Sequence, residues 1–217
     1  MKRIAINGFG RIGRLTLRRL LLNPDVHLVA INDLTDIPTL AHLFCYDTAH
    51  RKFQGSVDYT DKALIINGHE IQAFMIKDPV QLPWKDLQID LVLECTGIYL
   101  TRDAAAAHLK AGAKKVLLSA PPKDDSIPTY VLGVNDDQML GDQTIISNAS
   151  CTTNCLATVI KVLDDAFGIQ FATMNTIHSY TQDQRLQDAP HKDLRRARAA
   201  AQNIIPTSTG AAKAVEA

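Results

Sequence analysis

Two clusters of residues in this 217-residue chain have types and spacing suited to chemistry. In Ser150-Cys151-Thr152-Thr153-Asn154-Cys155 a strand-like run gives way to an amphipathic pattern, so Cys151 is expected in the first turn of a helix. The free N–H groups and dipole of a helix start favour an anion, and they pull a thiol down from its free value of about 8.5. A nearby imidazole would lower it further and could pass protons. His178, which closes the strand-like run Phe171 to Ile177, is the best-placed candidate. Spacing alone leaves this pairing open, because isolated cysteines and histidines are mostly structural.

The second cluster is Gly8-Phe9-Gly10-Arg11-Ile12-Gly13, with Asp33 twenty residues beyond its last glycine. Glycines in that pattern are weak evidence alone; a preceding strand, a following helix and an acid closing the next strand make them a dinucleotide fingerprint. Gly8 allows the tight turn, Gly10 lets backbone approach a pyrophosphate, and Gly13 lets helix pack close to strand. Asp33 would accept from the hydroxyls of an adenosine ribose. Leu34 follows it with no adjacent Arg or Lys for a 2′-phosphate, which favours NAD over NADP.

Those side chains need a frame. Lys2 to Asn7 and Leu28 to Asn32 read as buried strands joined by the glycine turn and a helix ending near Asn23-Pro24, the βαβ unit of a parallel sheet. Ile37, Leu40, Ala41 and Phe44 form a helical stripe begun by Thr35 and Asp36. ALII and HEIQAF around Asn67-Gly68 predict a hairpin with a primed turn, so the sheet is expected to be mixed. Strands are expected again at Ile89 to Cys95, Lys115 to Ser119 and Thr144 to Ser147, with a helix from the Thr101 cap to the Gly112 stop. Thr96 and Ser119 then fall at carboxyl ends of strands, where open α/β sheets bind ligands. A helix from Cys151 to Phe167, stopped by Gly168, would turn Leu156, Val159, Ile160, Leu163 and Phe167 inward. Cys155 is expected to pack inward as well, and Cys45 and Cys95 read as buried. The boundary falls near Ser150, giving a dinucleotide-binding domain over 1–150 and a second domain over 151–217.

Length and composition set outer bounds. At roughly 150 residues per domain the chain holds about 1.4 domains, and 46% hydrophobic with 21% charged residues excludes disorder and fibrous classes. Lys+Arg and Asp+Glu both number 23, so the zero net charge offers no bulk attraction to nucleic acid or membrane. The start, MKRIAINGFG, has no secretion-type apolar region, which points to the cytoplasm. Four cysteines without a CxxC pair indicate neither a metal site nor a disulfide framework. From Tyr180 to Ile205 the chain is basic and aperiodic; it reads either as a solvated surface loop or as an anion site, the latter supported by Thr181, Thr207, Ser208, Thr209 and Gly210.

The blocks NGFGRIGR, SNASCTTNC, TIHSYT, DQRL, PHKDLRRARAAA and NIIPTSTGAAKAV resemble the glyceraldehyde-3-phosphate dehydrogenase family, the NAD-dependent phosphorylating dehydrogenases of glycolysis. The resemblance runs from Lys2 to the end, and SNASCTTNC is its most specific part. It implies an α/β fold: a Rossmann-type, doubly wound, mostly parallel sheet followed by an incomplete α+β catalytic domain. By resemblance, Arg11 and Ile12 meet the pyrophosphate of NAD, Asp33 the ribose, Lys77 the cofactor through its backbone, and Ser119 the nicotinamide side. Ser150, Thr152, Thr209 and Gly210 match the inorganic-phosphate site, while Thr181 and Arg198 match residues holding the substrate phosphate. Cys151 would be the nucleophile toward glyceraldehyde 3-phosphate, His178 its acid and base. A homotetramer is implied for the whole enzyme.

Two departures accompany the resemblance. Gln182 stands where the family usually has a smaller residue. Only 67 residues follow Ser150, and the family's second phosphate-binding arginine, its nicotinamide-orienting asparagine and its last helix have no match, so the chain by itself is expected to be inactive. An erythrose-4-phosphate dehydrogenase and a non-catalytic NAD-binding or thiol-sensing fragment are the alternative readings.

Overall fold

The computed structural model describes residues 1–211; the end of the NIIPTSTGAAKAV block, residues 212–215, lies outside them. The chain divides into two compact units, Met1–Ser150 and Cys151–Ala217.

The first unit opens with β1 (Lys2–Asn7), whose Ile4 and Ile6 enter one core while Ala5 enters another on the opposite face. Both faces are therefore covered, as a parallel strand requires. After the glycine turn come α1 (Arg11–Leu20) and β2 (Val26–Asn32). The helix stops three residues short of Asn23, which lies in a turn. In α2 (Ile37–Cys45) the Asp36 side chain caps the Thr39 N–H, and Leu40, Ala41 and Phe44 are buried, matching the stripe. Next come β3 (Val57–Tyr59), β4 (Ala63–Ile66) and β5 (His69–Phe74). Asn67 and Gly68 have φ of 50° and 80°, the left-handed pair a primed hairpin turn needs.

The chain continues through β6 (Leu91–Glu94), α3 (Arg102–Lys110, capped by Thr101), β7 (Lys115–Leu118) and β8 (Ile145–Ser147). The eight strands of the described residues form one sheet in the order β3-β4-β5-β2-β1-β6-β7-β8. The β3-β4 and β4-β5 pairs are antiparallel and the rest parallel. From β1 the chain winds first toward β2, then reaches β6 on the other side. The carboxyl ends of β1 and β6 thus flank a topological switch point, where sheets of this kind open a ligand crevice.

The second unit begins with α4 (Cys151–Phe167), ended by Gly168 at φ 70°. Two expectations fail here. Val159, Leu163 and Phe167 are exposed, as is Cys155, whereas Thr153 and Ala157 are the buried residues of the helix. Phe171 to Ile177 forms no strand: residues 168–210 are turns and irregular backbone, with Phe171 and Ile177 exposed. An apolar stripe is buried only when another element packs on it, and a β-run forms only with a partner strand; periodicity reports neither. Among the described residues no helix is long and apolar enough to cross a membrane.

Candidate functional site

At the end of β1 the backbone turns through Gly8 with φ 91°. A Cβ there would lie 2.7 Å from the Thr96 nitrogen, and one on Gly13 would lie 2.3 Å from the Gly8 carbonyl oxygen. Only glycine fits at either place. Gly10 differs: a Cβ on it would meet nothing within 4 Å, and as N-cap of α1 it offers no side chain to the helix. The N–H groups of the first turn have no intrahelical acceptors, so an open, anion-favouring surface is built here from Gly10, Arg11 and Ile12. Arg11 and Ile12 are exposed beside it.

Asp33 is fixed to that turn. One carboxylate oxygen accepts from the Phe9 N–H at 2.7 Å, the other from the Thr35 N–H at 3.0 Å. The carboxylate keeps lone pairs for a diol beside the turn. Lys77 is exposed, and its carbonyl accepts from the Tyr99 hydroxyl at 2.9 Å. The Thr96 N–H donates to Glu94 at 2.7 Å, and the Ser119 N–H donates to the Glu94 carbonyl at 3.0 Å. Cys95 is unsuited to nucleophilic work, because burial pushes its thiol up to about 11. A turn with room at Gly10 and a fixed carboxylate at Asp33 beside the switch point fit a dinucleotide.

Sequence reading missed the polar row beneath this crevice. Asn7, Asn32 and Glu94, the last residues of three adjacent strands, are buried and bonded together with His108 and Trp84. The available signal was that all three strands end on a polar residue next to a turn.

In the second unit α4 places Cys151 at its first position, exposed. His178 comes from irregular backbone rather than from a strand end, yet its Nε2 lies 3.3 Å from Sγ. Its Nδ1 is 2.6 Å from the Ser179 carbonyl oxygen. A carbonyl can only accept, so Nδ1 carries the proton and Nε2 turns its lone pair to the thiol. Partial burial would push the Cys151 thiol up; the hydrogen bond with His178, then that with Thr152, outweighs it and holds the thiol below its ordinary value. The Thr152 hydroxyl lies 4.0 Å from Sγ.

The basic segment does not assemble an open cationic pocket. Arg195 pairs with Asp193 at 2.9 Å, Arg196 with Asp183, and Arg198 with Asp188 at 3.2 Å. Thr181 closes a local turn, its N–H donating to Gln184 at 2.9 Å and its hydroxyl accepting from Asp183. Thr209 accepts from the Ala211 N–H, and Gly210 has open space around it. Among the described residues no direct hydrogen bond joins Arg198 to Thr181, Thr209 or Gly210. Ser150 immediately precedes α4 and follows Ala149, whose φ is 60°. Nothing in the structure explains Gln182.

The fold of the first unit defines a Rossmann-type dinucleotide-binding protein, here joined to a thiol–imidazole pair. Residues 2–102 match the NAD binding domain of glyceraldehyde 3-phosphate dehydrogenase, and residues 150–217 match its C-terminal domain. Glyceraldehyde-3-phosphate dehydrogenase of Thermotoga maritima is 59% identical over 217 residues, 99% of this chain and 65% of its own length. That of Clostridium acetobutylicum is 56% identical over the same span, and that of Mycoplasma pneumoniae 54% over 213 residues, 98% of this chain and 63% of its own length. The chain thus spans about two thirds of the length of these curated relatives. It belongs to the glyceraldehyde 3-phosphate dehydrogenase family, and its first unit includes that family's NAD-binding domain.

Proposed function

We propose that the enzyme this chain serves carries out NAD-dependent oxidation and phosphorylation of glyceraldehyde 3-phosphate to 1,3-bisphosphoglycerate, a step of glycolysis. The observation that carries the reading is the 3.3 Å approach of His178 Nε2 to Cys151 Sγ at the start of a 17-residue helix. His178 takes the thiol proton, the thiolate attacks the aldehyde carbon, and the imidazolium returns that proton to the alkoxide oxygen, giving a thiohemiacetal and a neutral His178. The N–H of Cys151, at the helix start, faces the oxygen on which charge develops. His178 then accepts the hydroxyl proton as hydride leaves the carbon, and a thioester remains on Cys151. Inorganic phosphate attacks that thioester and releases the acyl phosphate and the thiolate. Bound NAD supplies the hydride acceptor.

For that cofactor, Gly8, Gly10, Arg11, Ile12 and Gly13 would hold the pyrophosphate and Asp33 the adenosine ribose. The Lys77 backbone, Thr96 and Ser119 complete the set. Ser150, Thr152, Thr209 and Gly210 would take the attacking phosphate, and Thr181 and Arg198 the phosphate of the substrate. Arg198 must exchange Asp188 for that phosphate. Both partners are more than half exposed, so the pair is worth at most about 1 kcal/mol and gives way readily to a dianion.

We propose that these 217 residues alone are inactive in steady-state turnover, because His178 and Arg198 sit on backbone that no helix or strand fixes. The homotetramer belongs to the same proposal for the whole enzyme and rests on resemblance. The test separates bond formation from turnover: the chain is mixed with glyceraldehyde 3-phosphate and NAD without phosphate, quenched, and its peptides weighed. An acyl adduct on Cys151, released by phosphate, supports the reading. Cys151→Ser should give no adduct and keep the wild-type affinity for NAD. Wild-type chain that binds NAD but never forms the adduct would overturn it.

A further inference from the structure

Three neighbouring strands of the first unit each end in a buried polar residue. Asn7 of β1 is in register with Asn32 of β2 on one side and Glu94 of β6 on the other. Beneath Glu94 lies His108 of α3, and beneath that Trp84, both wholly buried. The hydrogen bonds among them have one direction. An indole N–H can only donate, so the 3.0 Å contact from Trp84 Nε1 makes His108 Nδ1 an acceptor. The ring proton is therefore on Nε2, which donates to Glu94 Oε2 at 3.0 Å. Asn7 Nδ2 donates to the same oxygen at 2.7 Å. The other oxygen, Oε1, accepts from the Thr96 N–H at 2.7 Å and from the Thr96 hydroxyl.

The row continues sideways. Asn32 Nδ2 donates to Asn7 Oδ1 at 2.7 Å and to the Ile76 carbonyl, and the Ile76 N–H returns a bond to Asn32 Oδ1. One connected set thus holds the residue before Gly8, the residue before Lys77, and Thr96 itself. Thr96 matters most, because its nitrogen occupies the place where a Cβ on Gly8 would collide. The position of Thr96 therefore bounds the glycine turn on that side.

We infer that His108 is a positioning residue for the dinucleotide crevice: its Nε2–H, with the tautomer set by Trp84, holds the Glu94 carboxylate that fixes Thr96 against Gly8. The inference rests on the reading that the dinucleotide binds at this turn. A buried carboxylate that loses one donor is repaired by whatever donor can move, and here the movable groups are those of Thr96 and Asn7.

The experiment uses the 217-residue chain and two isosteric variants that split the ring's functions. His108→Gln keeps a donor at the Nε2 position; His108→Asn keeps an acceptor for Trp84 but reaches no oxygen of Glu94. Amide exchange is read at Thr96, with Val92 of β6 as internal reference, and NAD affinity is read by calorimetry. His108→Asn should speed Thr96 exchange and weaken NAD affinity by about tenfold each, while His108→Gln stays within about threefold of wild type. Trp84→Phe, which leaves the ring in place without its tautomer lock, should move both readouts the same way by less, and it serves if His108→Asn does not fold. A folded His108→Asn or Trp84→Phe with wild-type Thr96 exchange overturns the inference. Wild-type chain that binds no NAD overturns the reading of the crevice instead, and Thr96 exchange still decides the role of His108.

Discussion

The glycine-turn crevice and the thiol–imidazole pair are both built at the start of a helix, yet the chain secures them by opposite means. At α1 every approach is fixed from below: Gly8 is packed against Thr96, Gly13 against the Gly8 carbonyl, and Asp33 is tied to the turn through Phe9. At α4 the thiol is exposed, and its partner arrives on irregular backbone held by a bond to its own neighbour's carbonyl. Geometry that must match a large ligand is set by sheet register and buried polar contacts. At the exposed thiol, reactivity is favoured by the 3.3 Å approach of an imidazole and the direction of its lone pair.

The contrast breaks most clearly on truncation of an aromatic in each region. Phe44, a buried residue of α2 in contact with the rings of Phe9 and Phe53, should cost about 3–5 kcal/mol on change to alanine, whereas exposed Phe167 should stay within about 0.5 kcal/mol. Urea unfolding followed by circular dichroism measures both, and equal losses would end the distinction. Next in size, His178→Ala should slow Cys151 acylation by about a hundredfold or more, in line with general acid–base contributions. The same variant tests the electrostatics. A thiol held below its ordinary value stays ionised as pH falls past the point where an ordinary thiol protonates. Losing His178 should therefore move the pH profile of Cys151 alkylation upward.

Smaller is Gly13→Ala, where the new carbon meets backbone rather than a movable side chain. It should destabilise the first unit by about 1–3 kcal/mol and weaken NAD binding, while Cys151 alkylation keeps its rate. The smallest effect is expected at Ala149. Its left-handed conformation costs an L-residue about 1–2 kcal/mol, and glycine gives part of that back in chain entropy. Ala149→Gly should thus raise unfolding stability by less than about 1 kcal/mol, a shift readable in a melting curve.

What the sequence disclosed follows the range of the signal. The β4–β5 hairpin, the Asp36 and Thr101 caps and the bounds of α4 were readable because each depends on residues within a few positions. The glycine turn and Asp33 were readable because a βαβ unit confines them to some thirty residues. The approach of His178 to Cys151 could be suspected but not read, since they lie 27 positions apart on chain without strand order. The network of His108 was invisible: Trp84 and Asn7 lie 24 and 101 positions away, and only the sheet brings them together. The inward face assigned to α4 failed for the complementary reason. Its periodicity is real, but burial is a property of two surfaces, and a helix supplies one.

Gly10 carries a thermodynamic consequence of its own. Asp36 and Thr101 close the starts of α2 and α3 with side-chain oxygens, whereas α1 begins on a residue that has none. A dinucleotide phosphate at that turn would serve α1 as a cap drawn from solution, in a role that a side chain fills for about 1 kcal/mol elsewhere. Stability of the first unit then follows the chemical potential of the ligand, rising by about 2.7 kcal/mol when free ligand stands at a hundred times its dissociation constant. One helix end would then be completed by concentration rather than by covalent structure, so the fold itself would register how much dinucleotide surrounds it.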